Sequence, residues 1–177
     1  MTPVPFDPAA ILAERQERDR FLAEHYASPI PEEVQGDFTG VDYYELDARF
    51  AFSATLQGSS DSVPILSSSC ATSDYHTVGV LAVTIQGRPY ELTVLDDGDG
   101  GAFIAFGDET NGTTTYGGGR YLFVEIGDGA DVTIDFNRAT NAYCAYDEEF
   151  SCPLPPPGNH INAAIEAGER IYRGRAL

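Results

Sequence analysis

A glycine-rich run ending in arginine, Gly117-Gly118-Gly119-Arg120, opens the part of the chain richest in chemistry. Flexible backbone followed by a guanidinium could cradle an anion, with peptide amides lining it and the planar fork gripping it through parallel hydrogen bonds. The run is not a nucleotide-binding P-loop, because the lysine is missing and strands are expected on both sides. The plainer alternative is a tight loop between strands with Arg120 buried against Asp135 or another carboxylate, since a buried arginine needs a counter-charge.

Downstream stand Asp135-Phe136-Asn137, Cys144-Ala145-Tyr146, Cys152 followed by Pro153-Leu154-Pro155-Pro156-Pro157, and Asn159. Asp135, at a strand end, could act as general base or orient Arg120. Cys144 could be a nucleophile if its thiol pKa were lowered beside a base, but no motif links it to His25, His76 or His160. Buried structural thiols are the simpler reading for Cys144 and Cys152. A disulfide between them across a short turn is the minor alternative. Cys144, Cys152 and His160 offer three soft ligands for zinc, without the paired spacing of a structural metal site. Asp96-Asp97-Gly98-Asp99-Gly100 has the composition of a calcium loop but not its spacing, so it reads as a solvated turn. Glu166 and Glu169 flank the last apolar segment, and Glu169 suits the binding of backbone amides. The proline run is expected to cross one end of the fold and hold Cys152 and Asn159 in place.

These residues point to one expectation: a polar pocket for a small anionic molecule formed by Tyr116, Arg120, Tyr121, Asp135, Asn137, Tyr146 and Asn159, with Cys144 nearby. Arg120 would hold the anion, Asn137 would fix its orientation, and the tyrosines would supply the walls. An enzyme using Asp135 as base or Cys144 as nucleophile, for hydrolysis or group transfer, is the second possibility. The third is structural: the polar set locks the fold, and function lies in protein interaction. Flavin-binding split barrels are an analogy of fold alone; no flavin motif is present, and no cofactor is predicted.

The elements that must position these groups read as follows. Asp7 can cap and Pro8 begin a helix over 8–26, with Ile11, Leu12, Phe21 and Leu22 as its interrupted apolar face. The prolines of Ser28-Pro29-Ile30-Pro31 forbid its continuation. From 41 to 57 apolar residues alternate, the period of a strand. Further strands are expected at 62–69, 76–86, 89–95, 102–106, 120–126 and 131–136, separated by glycine- and asparagine-rich turns. Segment 76–86 carries apolar residues on both faces and is expected to be central. Ile161, Ala163 and Ile165 alternate like a strand, although the composition also suits a helix; a strand ending at Gly168 is the reading adopted. The result is a mainly β single domain, an antiparallel barrel or sandwich over about 36–170 with an N-terminal helix.

Composition limits the setting. The 177 residues hold 28 acidic side chains, ten arginines and no lysine, a formal charge of −18. Self-repulsion of that size opposes compaction in dilute buffer and is screened in about 1 M salt, where the Debye length is roughly 3 Å. The acids are spread along the chain, as expected for the surface of a cytoplasmic protein in a salt-accumulating halophile. No basic patch is available for nucleic acid or an anionic membrane. No apolar run spans a bilayer, and Met1-Thr2-Pro3-Val4-Pro5-Phe6-Asp7 does not read as a secretory signal. Oligomeric state leaves no mark in the sequence.

The chain also resembles the bacterial and haloarchaeal proteins grouped as domain of unknown function family 1684. The resemblance rests on Glu14, Arg15 and Asp19; Ser28-Pro29; Phe38, Gly40 and Tyr43; Phe106, Asp108, Thr110 and Gly112; and the block Thr115 to Leu122. Asp135-Phe136-Asn137, Ala139, Asn141, Cys144-Ala145-Tyr146, Cys152 to Pro156, Asn159 and Ala167-Gly168-Glu169 complete it. The chain departs from the pattern at Arg18 for lysine, Leu22 for phenylalanine, Asn111 for serine, Thr114 for glutamate, and Thr140 and Ala142 for tyrosine and proline. The resemblance implies kinship and no particular activity.

Overall fold

A computed structural model describes Val4 and residues 6–174. Most of the N-terminal stretch considered for a leader therefore lies outside the described residues. Helix α1 runs Pro8–Glu24, and the Asp7 carboxylate accepts hydrogen bonds from the amides of Ala9 and Ala10. Pro8 occupies the first turn, where no amide is needed. The helix stops short of residue 26 because His25 turns extended. A single turn, α2 (Glu32–Gln35), follows the Ser28–Pro31 corner.

The remainder is a curled, mainly antiparallel sheet, a half-barrel. Its strands are β1 (Ala51–Gly58), β2 (Ser62–Leu66), β3 (Thr72–Ile85), β4 (Arg88–Asp96), β5 (Ala102–Asp108), β6 (Arg120–Val124), β7 (Asp131–Asp135), β8 (Thr140–Asn141) and β9 (His160–Ile161). The main path is β7-β1-β3-β4-β5-β6-β8, with β2 paired to β3 and β9 to β5. β1 pairs with β7 through residues 51–55 and with β3 through 56–58, so one strand changes partner along its length. Phe52, Leu81, Leu92, Ile104, Phe106, Leu122, Ile134 and Phe136 fill the inside of the curl. A smaller core of Leu22, Ile30, Val41, Ala145 and Tyr146 lies beneath α1.

Four expectations change in detail. The alternation over 41–57 yields a strand only from Ala51, because the Asp47 carboxylate accepts from the Arg49 amide and bends 48–50 into a 3-10 turn. β3 is interior to the sheet but buries chiefly one face: Leu81, Val83 and Ile85 point inward while Ala82 and Thr84 are exposed. On α1, Leu12 is 49% exposed, and the inward stripe is Ile11, Arg15, Arg18 and Leu22, spaced as one helix face.

The last change concerns 161–169, which pairs as a strand only at His160–Ile161. The alternation read there is nevertheless present in burial, with Ala163, Ile165 and Ala167 inside and Asn162 and Glu166 outside. Side chains take the place of neighbouring strands. Arg120 donates to the carbonyls of Ile165, Ala167 and Glu169, while Gln86 donates to that of Ala164 and Arg88 to that of Asn162.

Candidate functional site

Arg120 begins β6 and is fully enclosed, with 0% exposure. Its Nη2 donates to Asp108 Oδ2 and to Ile165 O, both at 2.8 Å, and its Nη1 to the carbonyls of Ala167 and Glu169. The partner carboxylate is thus Asp108, not Asp135. The Phe106 ring lies 5.1 Å beneath the guanidinium. Gly119 is required just before it: its φ is +89°, and a Cβ there would lie 2.7 Å from Phe106 O. The glycine-rich loop therefore delivers Arg120 inward, and its own exposed side borders a groove of about 440 Å³ against Pro155, Pro156 and His160.

Asn137 and Asn159 share a device. Asn137 exchanges two hydrogen bonds with the backbone of Asp47, its Oδ1 accepting from the amide and its Nδ2 donating to the carbonyl, both at 2.9 Å. Asn159 does the same with Thr93 at 2.7 and 2.9 Å, and also donates to Ala105 O at 2.8 Å. Each primary amide imitates a strand where the sheet parts. Asp135 accepts from the Asn137 amide and side chain and from Arg138 Nη1 at 2.5 Å. Tyr121 donates to Pro153 O at 2.7 Å.

Tyr146 donates to Glu169 Oε2 at 2.9 Å, an oxygen that also accepts from the Asn141 amide at 2.6 Å. Glu169 Oε1 accepts from Arg18 Nε at 3.1 Å. Burial works against the Arg18 charge, but Glu169 outweighs it and holds that guanidinium more firmly protonated than usual. Gly168 makes this approach feasible: at φ +78°, a Cβ would stand 2.6 Å from Ala139 O.

The expected pocket residues therefore fall into separate buried networks, each joined to backbone or to an opposite charge. Tyr116, half-buried, lies with Tyr121 beside Cys144 and Cys152. Cys144, Cys152 and His160 are not gathered: among the described residues no three His, Cys, Asp or Glu side chains stand close enough to hold a metal ion.

A different cleft does collect cationic groups. Arg15, Arg18 and Arg138, with Tyr43, Asn137, Thr140, Ile11 and Glu14, line a volume of about 210 Å³ between α1 and the turn joining β7 to β8. Arg138 bridges Glu14 at 2.7 Å and Asp135 at 2.5 Å, and Arg18 is paired with Glu169. Arg15 differs. It donates to Tyr44 O at 3.1 Å and Asn137 O at 3.2 Å and makes no ion pair among the described residues. Its guanidinium stacks 4.3 Å over the Tyr43 ring. Arg15 Nε and the Tyr43 hydroxyl are both buried without a hydrogen-bond partner. Burial lowers the Arg15 pKa, only partly offset by Tyr43 and the more distant Asp135 and Glu169. The same enclosure, then nearby Glu169, raises that of Tyr43.

Of the residues expected to bind a ligand, only Asn137 lines this cleft. Two of its three cations, Arg15 and Arg18, were legible as arginines occupying an apolar helix stripe, Ile11-Arg15-Arg18-Leu22, a pattern missed when only the apolar positions are counted.

A model of the family described as Protein of unknown function (DUF1684) matches residues 36–170. No curated protein matches the chain. The solution NMR structure of an uncharacterised protein of Haloarcula marismortui is similar at 36% identity and a TM-score of 0.71, covering 91% of this chain and 92% of that one.

Proposed function

The chain belongs to this DUF1684 family of proteins of unknown function, and we propose that it binds a small anion in the cleft between α1 and the β7–β8 turn. The observation that carries this reading is Arg15: a partly buried guanidinium with no ion pair among the described residues, in a chain with 28 acidic residues. Its Nε–H and the Tyr43 hydroxyl both lack partners. An orphaned donor in a low-dielectric setting costs about 1–3 kcal/mol, more when charged, and an anion accepting from it recovers that loss. Carboxylate and phosphate suit the guanidinium fork, and the cleft of about 210 Å³ admits a group of that size. Glu14, Asp135 and Glu169 are bonded to Arg138 and Arg18, so the guanidinium left for a ligand to bond is that of Arg15.

The setting proposed with this function is a salt-rich cytoplasm, on the strength of the −18 charge and absent lysine, with neither nucleic acid nor anionic membrane as partner. No helix among the described residues is long and apolar enough to cross a membrane. A second reading is favoured by the internal pairing of Arg120, Asp135, Asn137, Tyr146 and Asn159: these residues hold the fold, and function lies in partner binding.

A thermal-shift series at constant ionic strength, using inorganic phosphate, citrate and acetate, tests the first reading. A saturating rise in Tm with at least one of them, abolished in Arg15→Met and weakened in Tyr43→Phe, is expected. Equal shifts in wild type and both variants would point instead to the second reading.

A further inference from the structure

Cys144, in the Tyr143–Ala145 turn, meets Cys152 in a buried cluster, and neither lines the Arg15 cleft. Both are free thiols, 2% and 7% exposed, packed with Ala142, Tyr116, Tyr121 and Tyr143. The Cys144 amide donates to Cys152 Sγ at 3.2 Å, and the two side chains share one buried cluster. Tyr116 packs against the same pair. These contacts, Cys152 first, outweigh burial and lower the Cys144 pKa, whereas facing Cys144 raises that of Cys152. Two thiols enclosed side by side titrate as a pair rather than as separate groups. Of the seven residues between them, Ala145 and Tyr146 are buried while Glu148–Ser151 are exposed and form neither helix nor strand, so only the second half of the connection lies at the surface.

We propose that Cys144 and Cys152 form a redox-active dithiol in which a small hydroperoxide oxidises Cys144 and Cys152 resolves it as a disulfide. In the first step the Cys144 thiolate attacks the distal peroxide oxygen. An S–O bond forms, the O–O bond breaks, and the leaving hydroxide takes a proton to give water, so sulfur is oxidised to sulfenic acid and peroxide is reduced. In the second step Cys152 sulfur attacks Cys144 sulfur. The S–S bond forms, the S–O bond breaks, and the departing oxygen leaves as water with the Cys152 proton. An external dithiol restores both thiols by exchange through a mixed disulfide. The narrow exposure of both sulfurs selects an oxidant as small as hydrogen peroxide.

Cys70 is exposed on the Ser67–Cys70 turn, whose Ser68 hydroxyl accepts from the Cys152 amide, so it is replaced in the test. The full chain carrying Cys70→Ser is treated with hydrogen peroxide in high salt, then denatured, alkylated and mapped by mass spectrometry. Loss of both alkylatable thiols, a Cys144–Cys152 linked peptide and reversal by dithiothreitol are expected. In Cys70→Ser/Cys152→Ser, dimedone should label position 144 as sulfenic acid. Two fully alkylated thiols after peroxide that oxidises free N-acetylcysteine would overturn the proposal, as would stronger dimedone labelling of Cys152 in Cys70→Ser/Cys144→Ser than of Cys144 in Cys70→Ser/Cys152→Ser. Neither outcome depends on anion binding at Arg15.

Discussion

Arg120 neutralises Asp108 and donates to three carbonyls, of Ile165, Ala167 and Glu169, that no strand pairing satisfies. Replacing it with alanine leaves a buried carboxylate and those carbonyls without donors. Arg120→Ala should therefore cost about 3–5 kcal/mol, read from denaturant unfolding in high salt. A loss within 0.5 kcal/mol, the range of an ordinary surface change, would show that Asp108 finds other donors. Cys144 gives a second prediction at this scale. Because its folded pKa lies below the ordinary thiol value of about 8.5, its thiolate persists as pH falls past that value. Peroxide consumption by the Cys70→Ser protein should hold up below pH 8.5, where free cysteine slows. A parallel decline of the two rates would remove the thiolate assignment.

At the scale of elements, α1 is fastened at both its cap and its inward face. Asp7→Ala removes acceptors for two amides and should lower stability by about 1 kcal/mol, measured by thermal or denaturant unfolding. The inward face explains what the sequence could and could not disclose. Asp7-Pro8 located the helix start, and the turn glycines with alternating apolar residues located β2 through β7, because those signals are local. The course of 161–169 was only half legible: its alternation marked which side chains face inward, but its carbonyl acceptors are served by Arg120, Gln86 and Arg88, distant in sequence. The chemistry-bearing block 115–159 was conspicuous for the same residues that now appear as latches. Asn137 and Asn159 look like ligand groups in a sequence and imitate strands in the fold. Arg15 and Arg18 stood in plain sight on a helix whose partners, Tyr43, Asn141 and Glu169, are separated from them by long stretches of chain.

Across the whole molecule, two collective properties should govern stability. Buried phenols, Tyr43, Tyr121 and Tyr146, have pKa values raised first by burial. A raised folded pKa gives stability that is complete below the unfolded tyrosine value of about 10 and is lost as pH climbs toward the folded value. Unfolding should therefore steepen above pH 10, with phenolate absorbance appearing together with loss of circular dichroism. Phenolate that titrates fully near pH 10 in the folded chain would contradict the enclosure of these rings. Charge acts in the same global way. With −18 spread over the chain, dialysis from molar salt into dilute buffer should unfold the protein, and unchanged circular dichroism would contradict a salt-adapted surface.

If a ligand anion supplies the acceptor that Arg15 Nε–H lacks, that Nε–H reports the binding itself. In an NMR titration with inorganic phosphate at constant ionic strength, the Arg15 Nε–H resonance should shift and saturate, sharpening as the donor gains an acceptor. The enclosed guanidinium of Arg120 should stay unmoved. An Arg15 signal that remains fixed through the titration, or one that moves no more than those of exposed Arg49, would contradict the account.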